Sequence, residues 1–277
     1  MSRFTARDGA QISYDDEGEG RPILLLHGLM AHRGFFSLQR PLSDTFRLVR
    51  VDMRGHGESS RAAPLTVAQL AEDVAALAER LDLEDAIGVG WSLGASVLWH
   101  VLTGPAGRRF AGAVVVDMTP CVLNQGGWGL GLSKEMCEAR RAAIASDFET
   151  FATGAGHAIF RQPVCQDLQG LAEWAGAEFA RNDAASIAAL WDSLVAEDCR
   201  SRLRSVEQPS LVLHGAHSQL YASDTADYLV ATLPQASSVE FDRSGHAPHL
   251  EQPERFNQAL RLFAASLPPV LQDQLTN

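Results

Sequence analysis

Short, unbroken apolar runs alternate along this chain with segments whose apolar residues recur every three or four positions. The continuous runs at residues 23–26, 86–89 and 113–116 suit buried strands, the first as if covered on both faces; residues 46–51, which alternate imperfectly between turn residues, 209–215 and 238–241 read as further strands of the same sheet. Between them lie helical periods. Val67, Leu70, Val74, Leu77 and Leu81 make one stripe over residues 66–82, opened by Thr66 with Gln69 three positions on, the spacing of a capping box. Ala95, Leu98, Trp99 and Leu102 predict a helix over 95–101, another follows near 224–232, and Pro253 suits the first turn of a last one that buries Phe256, Leu260 and Phe263. Two short strands at 4–5 and 11–14 read as a hairpin across Asp8-Gly9, ended by the turn-forming residues 15–20. Alternation of this kind predicts an α/β fold with a mostly parallel, doubly wound sheet and right-handed crossovers.

The pattern changes at residue 121. From there to 205 no β-branched run occurs, and helical periods are expected at 134–144, 148–160, 168–180 and 184–195. The expected organisation is therefore a core of residues 1–120 and 206–277 carrying a helical insertion, 121–205. Gly126, Gly127, Gly129 and Gly131 open the insertion, either as a hinge or as room for close packing.

Composition narrows the class. With 277 residues, 46% hydrophobic and 21% charged, the chain can bury a large core. The start lacks the apolar stretch of a secretory signal, and no run reaches the roughly 18 to 20 residues of a membrane span, so a cytoplasmic protein without a membrane partner is expected. Cys121, Cys137, Cys165 and Cys199 are widely spaced, unlike a zinc site or a disulfide scaffold. A formal charge of -11 would repel a phosphate backbone, which argues against nucleic acid. No metal cluster or phosphate-cradling glycine motif stands out, so neither metal nor cofactor is expected.

The chemistry centres on Gly90-Trp91-Ser92-Leu93-Gly94, which lies between a strand and a helix as a nucleophile elbow must. A serine hydroxyl needs a base to remove its proton during attack, and of nine histidines His246, in Ser244-Gly245-His246-Ala247-Pro248, is the candidate. His249 falls in the following helix start and reads as a packing residue. His27, beside Gly28, reads as a structural hydrogen-bonding group, and Asp52 and Arg54 are expected to pair within a packed loop that also holds His56. His157 is expected to pack, partly buried, on its helix.

Leu24-Leu25-Leu26-His27-Gly28-Leu29, Val51-Asp52-Met53-Arg54-Gly55-His56-Gly57, the elbow and the His246 loop, in this order, resemble the α/β-hydrolase superfamily over nearly the whole chain. The GWSLG elbow is similar to that of small carboxylesterases, the pimeloyl-carrier-protein methyl ester esterases among them. The resemblance implies an oxyanion held by the amides of Leu29 and Leu93, and an insertion acting as a lid. It also implies an acid about three residues after His214-Gly215, where this chain has Ser218, which cannot hold a negative charge. Asp117 is the expected replacement, with Asp224 as runner-up, because strands ending at Ser92, Asp117 and Gly215 should be neighbours. Met30, Trp91, Met118 and Trp128 are expected to contact substrate, with Phe148, Phe151, Phe160, Trp174 and Trp191 as further lid aromatics. The expected activity is hydrolysis of a small-molecule carboxylic ester, thioester or lactone through an acyl-enzyme. C–C bond hydrolysis or perhydrolysis on the same groups, and a receptor with little turnover, are the alternatives.

Overall fold

The apolar runs pair into one sheet. The computed structural model describes residues 1–268, with strands β1 (Ser2–Thr5), β2 (Gln11–Glu17), β3 (Pro22–Leu26), β4 (Arg47–Val51), β5 (Ala86–Trp91), β6 (Phe110–Val116), β7 (Ser210–Gly215) and β8 (Ala236–Phe241). Their order across the sheet is β1-β2-β4-β3-β5-β6-β7-β8. β1 and β2 are antiparallel, β2 joins β4 antiparallel, and every later pairing is parallel. Every residue of β3 and of β5 is buried, and each of Ile23, Leu24, Leu25 and Leu26 contributes roughly 1.5–3 kcal/mol by leaving water. The hairpin differs from its expected form. β2 continues through Asp15, Asp16 and Glu17, because Tyr14 to Glu17 pair in register with Val51 to Leu48 and the acids meet Arg47 and Arg50. Ladder hydrogen bonds outweigh the local turn preference of those residues.

The helices are α1 (Val67–Arg80), α2 (Leu93–Leu102), α3 (Lys134–Ser146), α4 (Phe148–Ala158), α5 (Gln169–Ala180), α6 (Ala184–Ala196), α7 (Arg200–Leu203), α8 (Ser223–Thr232), α9 (Pro248–Glu251) and α10 (Pro253–Ser266). α1 begins as its sequence predicts, the Thr66 hydroxyl accepting from the Gln69 amide at 3.1 Å. Five helices, α3 to α7, fall between β6 and β7, and the four long ones match the expected periods to within a few residues. Gly126 and Gly127 both take positive φ, and the space beside Gly127 is open. No helix among the described residues is long and apolar enough to cross a membrane.

The loop after β4 is built differently from its expected form. Asp52 does not pair with Arg54. It accepts from the Arg33 side chain, from the Arg33 amide at 2.7 Å and from the Glu58 amide at 2.9 Å. Arg54 reaches instead to Asp73, at 2.7 Å through both Nε and Nη2, and to Asp8 at 2.6 and 2.9 Å. Both side chains are fully buried, and a buried ion needs its hydrogen-bonding positions filled, which one short-range partner cannot do.

Candidate active site

Strand, turn and helix meet at Ser92. The residue takes φ 52° and ψ -120°, a conformation that costs a non-glycine residue energy and persists only where surrounding structure enforces it. The enforcement is visible: a β-carbon on Gly94 would collide with the Leu26 carbonyl, and one on Gly90 with the backbone of Gly94 and Ala95. The Ser92 amide donates to the Val116 carbonyl at 3.0 Å, so the elbow is stitched to the end of β6. Asp117 follows directly, also at positive φ (45°), with its amide donating to the Leu213 carbonyl of β7 at 2.8 Å. The tips of β5, β6 and β7 thus lie side by side.

His246 comes in from the loop after β8 and is 3% exposed. Its Nδ1 lies 2.5 Å from Oδ2 of Asp117, itself 3% exposed. The same Oδ2 accepts from the Ser218 hydroxyl at 2.7 Å. Ser218, where the family resemblance placed an acid, is therefore a hydrogen-bond donor to the Asp117 carboxylate. Asp224 sits exposed in the first turn of α8. The Trp91 indole N–H donates to the His246 carbonyl at 2.8 Å, and the Tyr221 ring lies edge-on to the imidazole with centroids 6.1 Å apart. Bonding of Nδ1 to Asp117 leaves Nε2 as the free ring nitrogen, the one a neighbouring hydroxyl must reach.

Ser92 and His246 line one cavity of about 390 Å³. No hydrogen bond joins the Ser92 hydroxyl to the ring among the described residues, as is common before substrate draws such groups together. The amides of Leu29 and Leu93, which flank Ser92 from the loop after β3 and the start of α2, donate to no protein acceptor among the described residues. Met30, at φ 66°, lines the cavity, and its carbonyl accepts from Asn182 Nδ2 at 2.7 Å, tying this loop to the end of α5. The remaining wall is largely apolar and comes mostly from α3, α4 and α6, through Ile144, Phe151, Ile159, Trp191 and Leu194, with Phe179 of α5 and Leu220 and Tyr221 from the loop after β7, and Arg140 is the side chain of fixed charge on it.

Of the four expected substrate contacts, Met30 and Trp91 line this cavity and Met118 and Trp128 do not. Met118 is 2% exposed and lines instead a separate small cavity together with Val212 and Thr225. Trp128 is held away by its indole N–H, which donates to the Cys121 carbonyl at 2.8 Å, with its ring edge-on to Tyr228 and under Arg200. Trp174 packs on Phe35 and His32 rather than on the wall. Arg140 and Tyr221 escaped the sequence reading because neither belongs to a periodic pattern. They reach the cavity only through the packing of α3 and of the loop after β7.

His100 of α2, Glu197 and Cys199 also come together, with candidate ligand atoms within 4.8 Å of one another, a grouping that sequence spacing could not show. His100 Nε2 lies 2.9 Å from Glu197, and burial pushes the Cys199 thiol up to about 12.

Three other histidines are structural. His27 Nδ1 meets the Gly28 carbonyl at 2.8 Å and its Nε2 accepts from the Met53 amide at 3.0 Å. His56 lies edge-on to His27, and His249 packs on Trp91 and Phe36. Burial holds all three near 3, against the ordinary imidazole value of 6.5, His249 with added repulsion from His246. The unfolded chain takes up these protons as pH falls past about 6.5 and the folded protein does not, so their contribution is present above that value and lost below it. Glu251 opposes them: burial pushes its carboxyl up to about 7, against the pull of three backbone amides, so the folded protein takes up that proton first. Three groups outweigh one. The melting temperature is expected to fall by a few degrees per pH unit between pH 6.5 and 5, and a flat profile by calorimetry over that range would contradict the neutral histidines.

A model of the family described as alpha/beta hydrolase matches residues 23–259. A pimeloyl-[acyl-carrier protein] methyl ester esterase of Nitrosomonas europaea is 30% identical over 251 residues, covering 89% of this chain and 97% of the relative. Among solved structures, an esterase from Rhodococcus sp. superposes with a TM-score of 0.83 at 28% identity, over 96% of this chain and 99% of the other. An esterase from Exiguobacterium antarcticum superposes with a TM-score of 0.90 at 23% identity, over 96% and 99%, which shows the shared fold.

Proposed function

We propose that this chain, which belongs to the alpha/beta hydrolase family, hydrolyses a small carboxylic ester through Ser92, His246 and Asp117. Ser92 Oγ attacks the acyl carbon while His246 Nε2 takes its proton, and Asp117 on Nδ1 keeps the ring in the tautomer able to accept it. The amides of Leu29 and Leu93 hold the tetrahedral oxyanion. Collapse releases the alcohol, protonated by His246, and leaves an acyl-Ser92 ester that water cleaves with the same histidine as base. The observation that carries this reading is the buried 2.5 Å contact between His246 and Asp117 beside a strained Ser92 on the wall of the same cavity. A receptor without turnover drew its support from the empty acid position after Gly215. Asp117 against His246 favours turnover instead.

The apolar wall favours an aliphatic or aromatic acyl group, and a relative named for a pimeloyl methyl ester supports an acyl ester as substrate. Four unpaired cysteines suit a reducing compartment, the cytoplasm. Rates on p-nitrophenyl esters from acetate to dodecanoate test the assignment. Phe151→Ala and Trp191→Ala are expected to change the ratio of kcat/KM between short and long acyl groups by about tenfold, a methylene-scale effect in an apolar pocket. Trp128→Ala and Trp174→Ala, away from the wall, should leave the ratio alone. No hydrolysis of any ester in the series would sink the proposed activity. An unchanged ratio in both wall variants would place the acyl site elsewhere.

A further inference from the structure

The acyl-transfer steps leave one carboxylate beside His246 without a task. Glu251, at the end of α9, is partly buried, and its two oxygens take different partners. Oε2 accepts from the amide of Gly245 at 2.6 Å, and Oε1 accepts from the amide of Arg161 at 2.7 Å. Gly245 immediately precedes His246. Arg161 follows the stretch from α4 that brings Phe151, Ala155 and Ile159 to the cavity wall. Neither amide donates to another protein group among the described residues. The two segments also touch: a β-carbon on Gly245 would stand 2.7 Å from the Arg161 nitrogen and from the Phe160 carbonyl carbon.

Asp117 fixes the rotation of the imidazole. The loop around it is anchored at Ser244, whose carbonyl accepts from the His217 amide and whose hydroxyl donates to Gln252, and at the Ala247 carbonyl, which accepts from the Leu250 and Glu251 amides. Two further bonds act on His246 itself and on the amide just before it. One is the Trp91 indole on the His246 carbonyl. The other is Glu251 on the amide just before it. We propose that Glu251 is a positioning residue for His246, its carboxyl group bridging the Gly245 and Arg161 amides so that the histidine loop and the return from α4 are held as one piece. The proposal rests on the serine-hydrolase reading above. A side chain that holds the base at the right distance from the nucleophile acts on the chemical step, and a displacement of about 1 Å in such a group costs about 10²-fold in rate. Substrate affinity depends on the apolar wall, which Glu251 does not line.

The test uses the full chain as wild type, Glu251→Gln and Glu251→Ala, with active sites counted by a serine-reactive phosphonate and kcat and KM measured per titrated site on p-nitrophenyl acetate. Glu251→Ala is expected to lose about 10²-fold in kcat with KM within about twofold. Glu251→Gln, which keeps the shape and one acceptor, should lose about tenfold. If both keep kcat per titrated site within about twofold of wild type, or if only KM moves, Glu251 is a packing residue and the proposal is wrong. Should Glu251→Ala fail to fold, Glu251→Gln decides on the same numbers. A wild type that takes up no phosphonate overturns the serine-hydrolase reading and this proposal with it, whereas labelled variants of undiminished kcat overturn this proposal alone.

Discussion

Asp117→Asn is expected to lower turnover of a p-nitrophenyl ester by about 10³- to 10⁴-fold while the protein stays folded. In the native site one carboxylate oxygen receives both the His246 Nδ1 proton and the Ser218 hydroxyl. An asparagine keeps the volume but offers one carbonyl oxygen and one NH₂ in place of two acceptors. If the NH₂ faces Nδ1, the imidazole carries its proton on Nε2 and cannot take one from Ser92. If the carbonyl faces Nδ1 instead, the tautomer is right but the negative charge opposite the imidazolium is gone. Both outcomes weaken the base. Ser218→Ala removes a neutral donor and should cost far less, and Asp224→Asn, exposed on α8, should be close to wild type. A dead Asp224→Asn with an active Asp117→Asn would move the acid back to the loop after β7.

Ser92→Ala is expected to remove activity by several orders of magnitude, on the order of 10⁴ to 10⁶. The backbone conformation at Ser92 is imposed by the close packing of β5 against α2, and alanine carries the same β-carbon, so the strain is unchanged. Only the hydroxyl is lost, and it has no hydrogen-bond partner among the described residues. Stability should therefore move by no more than about 0.5 kcal/mol, which separates the loss of chemistry from any loss of fold. Residual turnover within about tenfold of wild type would mean that another group attacks the ester.

Much of this arrangement is legible in the sequence for specific reasons. β3 and β5 announce themselves because burial on both faces leaves no polar position in Leu24 to Leu26 or Ala86 to Val89. The four long helices between β6 and β7 are readable because their apolar residues recur at helical spacing, whereas the four-residue α7 is too short to show a period. The meeting of His246 with Asp117 was expected from strand order, since parallel neighbours bring their carboxyl ends to one edge. What could not be read was direction. Met118 adjoins Asp117 and Trp128 opens the helical insertion, yet one lines a separate small cavity and the other is pinned to Cys121. Neighbours in sequence do not share an orientation where the backbone leaves a strand. Buried charges were misjudged for a related reason: Arg54 finds Asp8 and Asp73, respectively 46 and 19 residues away, rather than Asp52. Glu251 and Tyr221 carry no periodic signal, because contacts between loops fix their roles.

The assignment of Ser92 as nucleophile is tested by the site of attachment of a fluorophosphonate to the native protein, read by mass spectrometry of its peptides. One phosphonyl group per chain is expected, on Ser92, absent from Ser92→Ala and acquired far more slowly by Asp117→Asn. Attachment to a different residue, or a native protein that stays unlabelled while its fold is intact, would contradict that assignment.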